Sequence, residues 1–156
     1  MRESVEAVED VSADVLVLHH FEDEPAPRGR LGRVDWILLS AVSRLRARGK
    51  FCGERGTTAL LLPVRKLRAD RVLVMGLGRS VDFSKTALYR LSYQAAQTVL
   101  NLGCTSIAMD LPYGVFPQEP PECIRRDFLE GFIAELRRRR PDTEFSINLL
   151  PPLAQS

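Results

Sequence analysis

The sequence predicts an α/β domain built on a mixed, mostly parallel sheet of five to six strands, and three observations predict it. Val72 to Met75 is an unbroken apolar run, the pattern of a strand covered on both faces, as in parallel sheets flanked by helices. Directly after it, Leu88, Leu91, Ala95, Val99 and Leu102 recur at intervals of three or four, which gathers them on one side of a helix. Along the whole chain, helical and extended patterns alternate, as they do where helices cover a sheet.

Taken in order, Ser4 to Glu9 alternates polar and apolar residues and is expected as a half-exposed edge strand. Its acidic positions would discourage pairing with other edges. Ala13 to His20 reads as a buried strand. Glu22 to Arg33 holds two prolines and two glycines, and is expected as a surface loop. Asp35 is placed as the cap of a helix running to about Arg48, with Trp36, Leu39, Val42 and Leu45 inward, joined by Ile37 or Leu38; Gly49 ends it. Thr57 to Leu62 is a strand stopped by Pro63, and the basic turn carrying Arg65, Lys66 and Arg68 leads to the strand Arg71–Met75.

Gly76 and Gly78 permit a turn there, Ser84 caps the helix from about Lys85 to Leu102, and Gly103 stops it. Each larger apolar side chain on that helix, once fully buried, contributes roughly 1.5–3 kcal/mol as an upper bound. Ser106 to Leu111 is the next strand. The proline-rich stretch Pro112–Pro121 is a rigid loop unable to pair as a central strand. A last helix begins at Pro121 or Glu122 and runs through Arg139, with Ile124, Phe128, Leu136 and either Phe132 or Ile133 inward. Glu144 to Leu150 forms a final strand. One domain over residues 1–150 with a flexible tail over 151–156 accounts for the length of 156 residues.

Composition excludes several classes. A formal charge of +2 does not call for a nucleic-acid or membrane partner, and no apolar run approaches the ~20 residues of a membrane span. The N-terminus has no basic start followed by an apolar core, so no secretion signal is expected and the cytoplasm is the expected compartment. Cys52, Cys104 and Cys123 lack metal-type spacing and are expected as reduced thiols.

Few residues carry a chemical signal of their own. Gly76-x-Gly78 between strand and helix resembles the start of a dinucleotide fingerprint, but Val81 stands where its third glycine would be, so a structural turn is expected. His19 and His20 are neighbours on a strand and point to opposite faces, one buried and one exposed, so they do not share a metal. Neither has a nucleophile at useful spacing. Arg137, Arg138, Arg139 and Arg140 end a helix, where cations offset its dipole. With Arg125, Arg126, Arg44, Arg46, Arg48 and Lys50 they are also a candidate basic surface for phosphates, although a solvated face is the expected reading.

The succession of Ala13-Asp-Val-Leu-Val-Leu-His-His-Phe-Glu-Asp23, Gly56-Thr-Thr-Ala-Leu-Leu-Leu-Pro63 and Arg71-Val-Leu-Val-Met-Gly-Leu-Gly78 resembles the N-terminal domain of the leucyl aminopeptidase (M17) family. The helix Lys85–Leu102 and Ser106-Ile-Ala-Met-Asp-Leu-Pro112 continue the likeness, which runs from about Val5 to Leu150. It implies a macro-domain-like, three-layer α/β/α sandwich. Catalysis in that family belongs to a separate C-terminal domain with two metal ions. The sequence here stops where that domain would start and has no Asn-Thr-Asp-Ala-Glu-Gly-Arg motif, so no catalytic residue, metal or cofactor carries over.

The resemblance implies a non-catalytic interaction or regulatory module, with a protein partner that is either a second copy of the chain or a full-length aminopeptidase. It also points to a second reading, because macro domains bind ADP-ribose at the C-terminal ends of central strands. The corresponding cleft here would comprise His19, His20 and Phe21, then Gly76, Leu77, Gly78, Arg79 and Ser80, then Pro112, Tyr113, Gly114, Val115 and Phe116. Its phosphate loop lacks the usual Ser-Thr start and second glycine, and its strand end, Leu18 to Phe21, lacks the asparagine of ADP-ribose binders, so a degenerate pocket is expected. Nucleic-acid binding through the arginines is a third, weaker reading.

Overall fold

In the computed structural model, which describes residues 6–153, the most buried strand is the one the apolar run predicts: every residue of Val72–Gly76 is buried. The strands are β1 (Val15–His20), β2 (Thr58–Leu61), β3 (Val72–Gly76), β4 (Ser106–Met109) and β5 (Ser146–Leu149). They form one sheet in the order β2-β3-β1-β4-β5, parallel except for the edge strand β2, which runs antiparallel to β3. The helices are α1 (Gly29–Ile37), α2 (Ala41–Ala47), α3 (Lys85–Asn101) and α4 (Pro121–Arg139). Alternation along β1 divides the core. Val15 and Val17 pack with α3 and α4 on one face, whereas Leu16 and Leu18 pack with α1 and α2 on the other. That is a three-layer α/β/α sandwich.

The α3/α4 layer follows local signals closely. Ser84 Oγ accepts from the Ala87 N–H at the start of α3, and Gly103, at φ +74°, closes its end. Leu88, Leu91, Ala95 and Val99 are buried as the spacing predicts, and Leu102 is partly so. On α4, Ile124, Phe128, Phe132 and Leu136 face inward, the two phenylalanine rings 5.4 Å apart. The helices cross closely at Gly131, where a β-carbon would lie 2.3 Å from Ser92 Oγ.

The α1/α2 layer departs from the expectation. A helix begins at Gly29, inside the predicted loop, because Leu31, Val34 and Leu38 bury against the sheet at helical spacing despite the nearby prolines. The single predicted helix over 35–48 is two helices, broken where Leu39 and Ser40 take positive φ of 57° and 64°. Asp35 does cap, but from seven residues away. Its carboxylate accepts from the N–H groups of Val42 and Ser43 and from the Ser43 hydroxyl, so it starts α2. The break turns Trp36 and Leu39 outward, leaving them 71% and 69% exposed where they were expected inside. The Trp36 ring packs under the Arg33 guanidinium, 5.1 Å from its centroid.

The edge strand expected over Ser4–Glu9 is also corrected. Val8–Asp10 is a 3-10 turn that buries Val8, while Val11 beyond it buries against the same α1/α2 layer, and the Arg68 N–H donates to the Glu9 carbonyl. Ser4 and Val5 lie outside the described residues. The described sheet therefore has five strands. No helix among the described residues is long and apolar enough to cross a membrane.

Candidate ligand cleft

Strands β1 and β4 are neighbours whose chains leave in opposite directions. β1 continues through α1 and α2 toward the β3 side, and β4 continues through α4 to β5 on the other face. In open α/β sheets this divergence leaves a crevice beyond the carboxyl ends of the strands. Here it opens as a cleft of about 790 Å³, within the ~300–1,000 Å³ span of small-molecule sites.

Its floor is an ion pair. Asp110 follows β4, and its own N–H donates to the Val17 carbonyl, which extends the ladder. Arg30, in the first turn of α1 and only 4% exposed, donates from Nη1 to Asp110 Oδ1 at 2.7 Å and from Nη2 to the Pro151 carbonyl at 2.6 Å. His19 Nε2 lies 3.5 Å from Asp110 Oδ2, and neither ring nitrogen of His19 has a hydrogen-bond partner among the described residues. An aromatic row runs from His19 to Phe21, Phe83 and Phe116, with centroid separations of 6.0, 5.6 and 6.1 Å; His19, Phe21 and Phe116 line the cleft, and Phe83 backs them from the core. Burial raises the Glu24 carboxyl above its ordinary range, against the pull of His19 and Arg28. Asp23 is held low by hydrogen bonds from Ser80, whose Oγ donates to Oδ2 at 2.6 Å.

Of the residues expected here, His19, Phe21, Ser80 and Pro112–Phe116 do line the cleft. His20, Gly76, Leu77, Gly78 and Arg79 do not. His20 points to the opposite face, 1% exposed, with Nε2 3.1 Å from Arg46 Nη1 and its ring beside Phe51. Burial, then the neighbouring Arg46 guanidinium, lowers its pKa to about 4. Gly76 sits where a β-carbon would fall 2.2 Å from the Glu54 carbonyl oxygen, and Gly78 has φ +76°. The Gly78 carbonyl accepts from the Glu22 N–H, and the Leu77 N–H donates to the His20 carbonyl. Gly76-x-Gly78 is thus a close-packed turn. Arg79 is exposed, 3.9 Å from Asp82.

The loop expected to resemble a phosphate cradle is a 3-10 turn over Tyr113–Val115. The N–H groups of Tyr113, Val115 and Phe116 donate to carbonyls of Leu111, Pro112 and Tyr113. Pro112 has none, so few donors remain for an anion. The Tyr113 hydroxyl donates to the Leu150 carbonyl at 2.7 Å, and burial raises its pKa. Residues 151–153 continue along the cleft rim, where Pro152 and Leu153 form part of the lining; 154–156 lie outside the described residues.

Sequence reasoning missed Asp110, Arg30, Glu24 and Arg28 as cleft residues. A carboxylate closing the apolar run Ile107–Met109 was an available signal for the first. Arg30 had none, since its helix was not legible. The two arginine groups of the candidate basic surface do not join: α2 and α4 lie on opposite faces of the sheet. Arg46 turns inward to the carbonyls of Cys52 and Glu22, and Arg138 is paired with Glu135 at 2.7 Å. Among the described residues, no group of three or more His, Cys, Asp or Glu side chains could hold a metal ion.

Sheet order, layers and crevice together define a domain of macrodomain fold. The Oceanobacillus iheyensis macrodomain solved with ADP superposes with a TM-score of 0.70 at 14% identity, over 97% of this chain and 82% of that one. A tomato leucine aminopeptidase mutant superposes at 0.68 with 19% identity, over 98% of this chain and 32% of that one. The N-terminal-domain model of the cytosol aminopeptidase family matches residues 15–136, and the chain belongs to that family. A probable cytosol aminopeptidase of Geobacter sp. (strain M21) is 37% identical over 98 residues, 62% of this chain and 19% of the relative. The chain spans about a fifth of the length of the curated relatives it matches.

Proposed function

We propose that this domain is a non-catalytic interaction or regulatory module of the cytosol aminopeptidase family, working in the cytoplasm through its surfaces. The observation that carries this reading is how the polar groups around the cleft are used. Arg30 and Tyr113 bind the Pro151 and Leu150 carbonyls, fixing the chain beyond β5, and Ser80 ties Asp23 across two loops. Lys85 joins α3 to Asp127 of α4 and to Glu119. These contacts hold loops in place and leave His19 as a polar side chain without such a tie. Two assays test the reading. Incubated with leucine p-nitroanilide and Mn or Zn, the purified chain should release no nitroaniline, and it should co-sediment with a full-length family aminopeptidase. Hydrolysis by the chain itself would overturn the reading.

The open cleft favours a second reading, a small-molecule site, and the macrodomain solved with ADP lends it support. Asp23, Glu24, Asp110 and Glu119 outnumber Arg28 and Arg30 in its lining, beside the depleted donors of the Tyr113 turn, which disfavours a diphosphate. Calorimetry with ADP-ribose, ADP and NAD at millimolar ligand decides it: saturable heat supports the site, and none ends it.

A further inference from the structure

Helix α4 has a second apolar stripe that the domain covers only in part. Beside the inward Phe128 and Phe132, the positions Leu129, Ile133 and Ala134 line a groove of about 930 Å³ shared with Ile147 and Leu149 of β5. The groove lies at a sheet edge. The N–H groups of Ser146 and Leu150 donate to β4-side carbonyls, so by alternation the backbone groups of Ile147 and Leu149 face away from the sheet. An edge of this kind invites another chain.

The charges along the stripe indicate which chain. From the N-terminal end, Glu122 is followed by Arg125 and Arg126, then Glu130, and Arg137 closes it. Glu122 and Arg137 are about four helical turns apart, or about 22 Å. A copy laid parallel would set each charge against its like. One laid antiparallel about a two-fold axis near Leu129 and Glu130 sets Glu122 opposite Arg137 of the second copy. The two Glu130 side chains meet near the axis, and each lies within one turn of the other copy's Arg126, which offsets their repulsion. Closed two-fold contacts require this self-complementarity.

We propose that the α4–β5 face is a homodimer interface, with two copies of this chain packing α4 against α4 antiparallel and burying Leu129 and Ile133 at the centre. The assignment rests on the reading of the domain as an interaction module. Light scattering at tens of micromolar protein should give twice the 17.5 kDa chain mass. E122R and R137E should each raise the dimer Kd about tenfold or more, because two symmetry-related pairs become repulsive. The double variant E122R/R137E should regain the dimer, since the order of charges is reversed on both copies alike. I133R should be monomeric with an unchanged far-ultraviolet circular dichroism spectrum. A monomeric wild type, a double variant no better than the singles, or an I133R dimer would overturn the interface. A monomer that still co-sediments with an aminopeptidase would sink this interface alone; hydrolysis by a dimer would sink the broader reading alone.

Discussion

The two helical layers of this domain are held in different ways. On the α3/α4 side each helix carries its own instructions: the Ser84 cap, Pro121 in the first turn of α4, and apolar residues at steady three- and four-residue steps. On the α1/α2 side the helices are short, interrupted and fastened by distant groups. Arg30 reaches Asp110 eighty residues away, Arg46 reaches His20 and the Glu22 carbonyl, and Asp35 caps a helix it does not belong to. Local propensity builds the first layer and tertiary contact builds the second. The polar cleft draws Arg30 and Arg28 from the second.

Breaking the first layer should cost most. Phe132→Ala removes a fully buried ring stacked on Phe128, a truncation that costs about 3–5 kcal/mol where the surroundings cannot collapse. Urea unfolding followed by circular dichroism should show it, and a loss under about 1 kcal/mol would mean this layer is looser than its packing indicates.

The second layer should instead be sensitive to acid. His20 titrates near 4 in the folded chain and near 6.5 when unfolded, so between those values the unfolded state binds more protons and stability falls as pH falls. The full difference is about 3 kcal/mol, all of it retained above pH 6.5 and lost by about pH 4. Carboxylates held low by hydrogen bonds, such as Asp14 under Thr105 and Ser106, lose their contribution only below the ordinary aspartate range. Urea midpoints at pH 7 and pH 4.5 should therefore differ much more for the wild type than for His20→Gln. Equal differences would remove His20 from the account.

The same contrast explains what the sequence made legible. The five strands, α3 and α4 could be read because caps, stops and apolar periods sit next to the elements they specify, whereas the alternation over Ser4–Glu9 misled. The Leu38–Ser40 break could not, since nothing in Leu39 or Ser40 predicts positive φ; it is spanned by the Asp35 bonds to residues 42 and 43, which no local pattern announces. The cleft was half legible. His19 and Pro112–Phe116 follow from strand ends, which sequence locates well. Arg30 and Asp110 meet only through the chain crossing that brings α1 beside β4, and no local pattern encodes that meeting.

The finest test of the contrast lies in two adjacent residues of α1. Asp35 is 8% exposed and its carboxylate satisfies two N–H groups and a hydroxyl at the start of α2, so Asp35→Ala should cost about 1–2 kcal/mol, the scale of a lost helix cap. Trp36, the largest side chain in the helix, is turned outward over Arg33, and Trp36→Ala should stay within about 0.5 kcal/mol. Size and hydrophobicity alone would rank these the other way. If Trp36→Ala proved the more damaging in urea unfolding, α1 and α2 would be one continuous amphipathic helix with Trp36 inside. The layer would then owe its shape to periodicity, as α3 and α4 do.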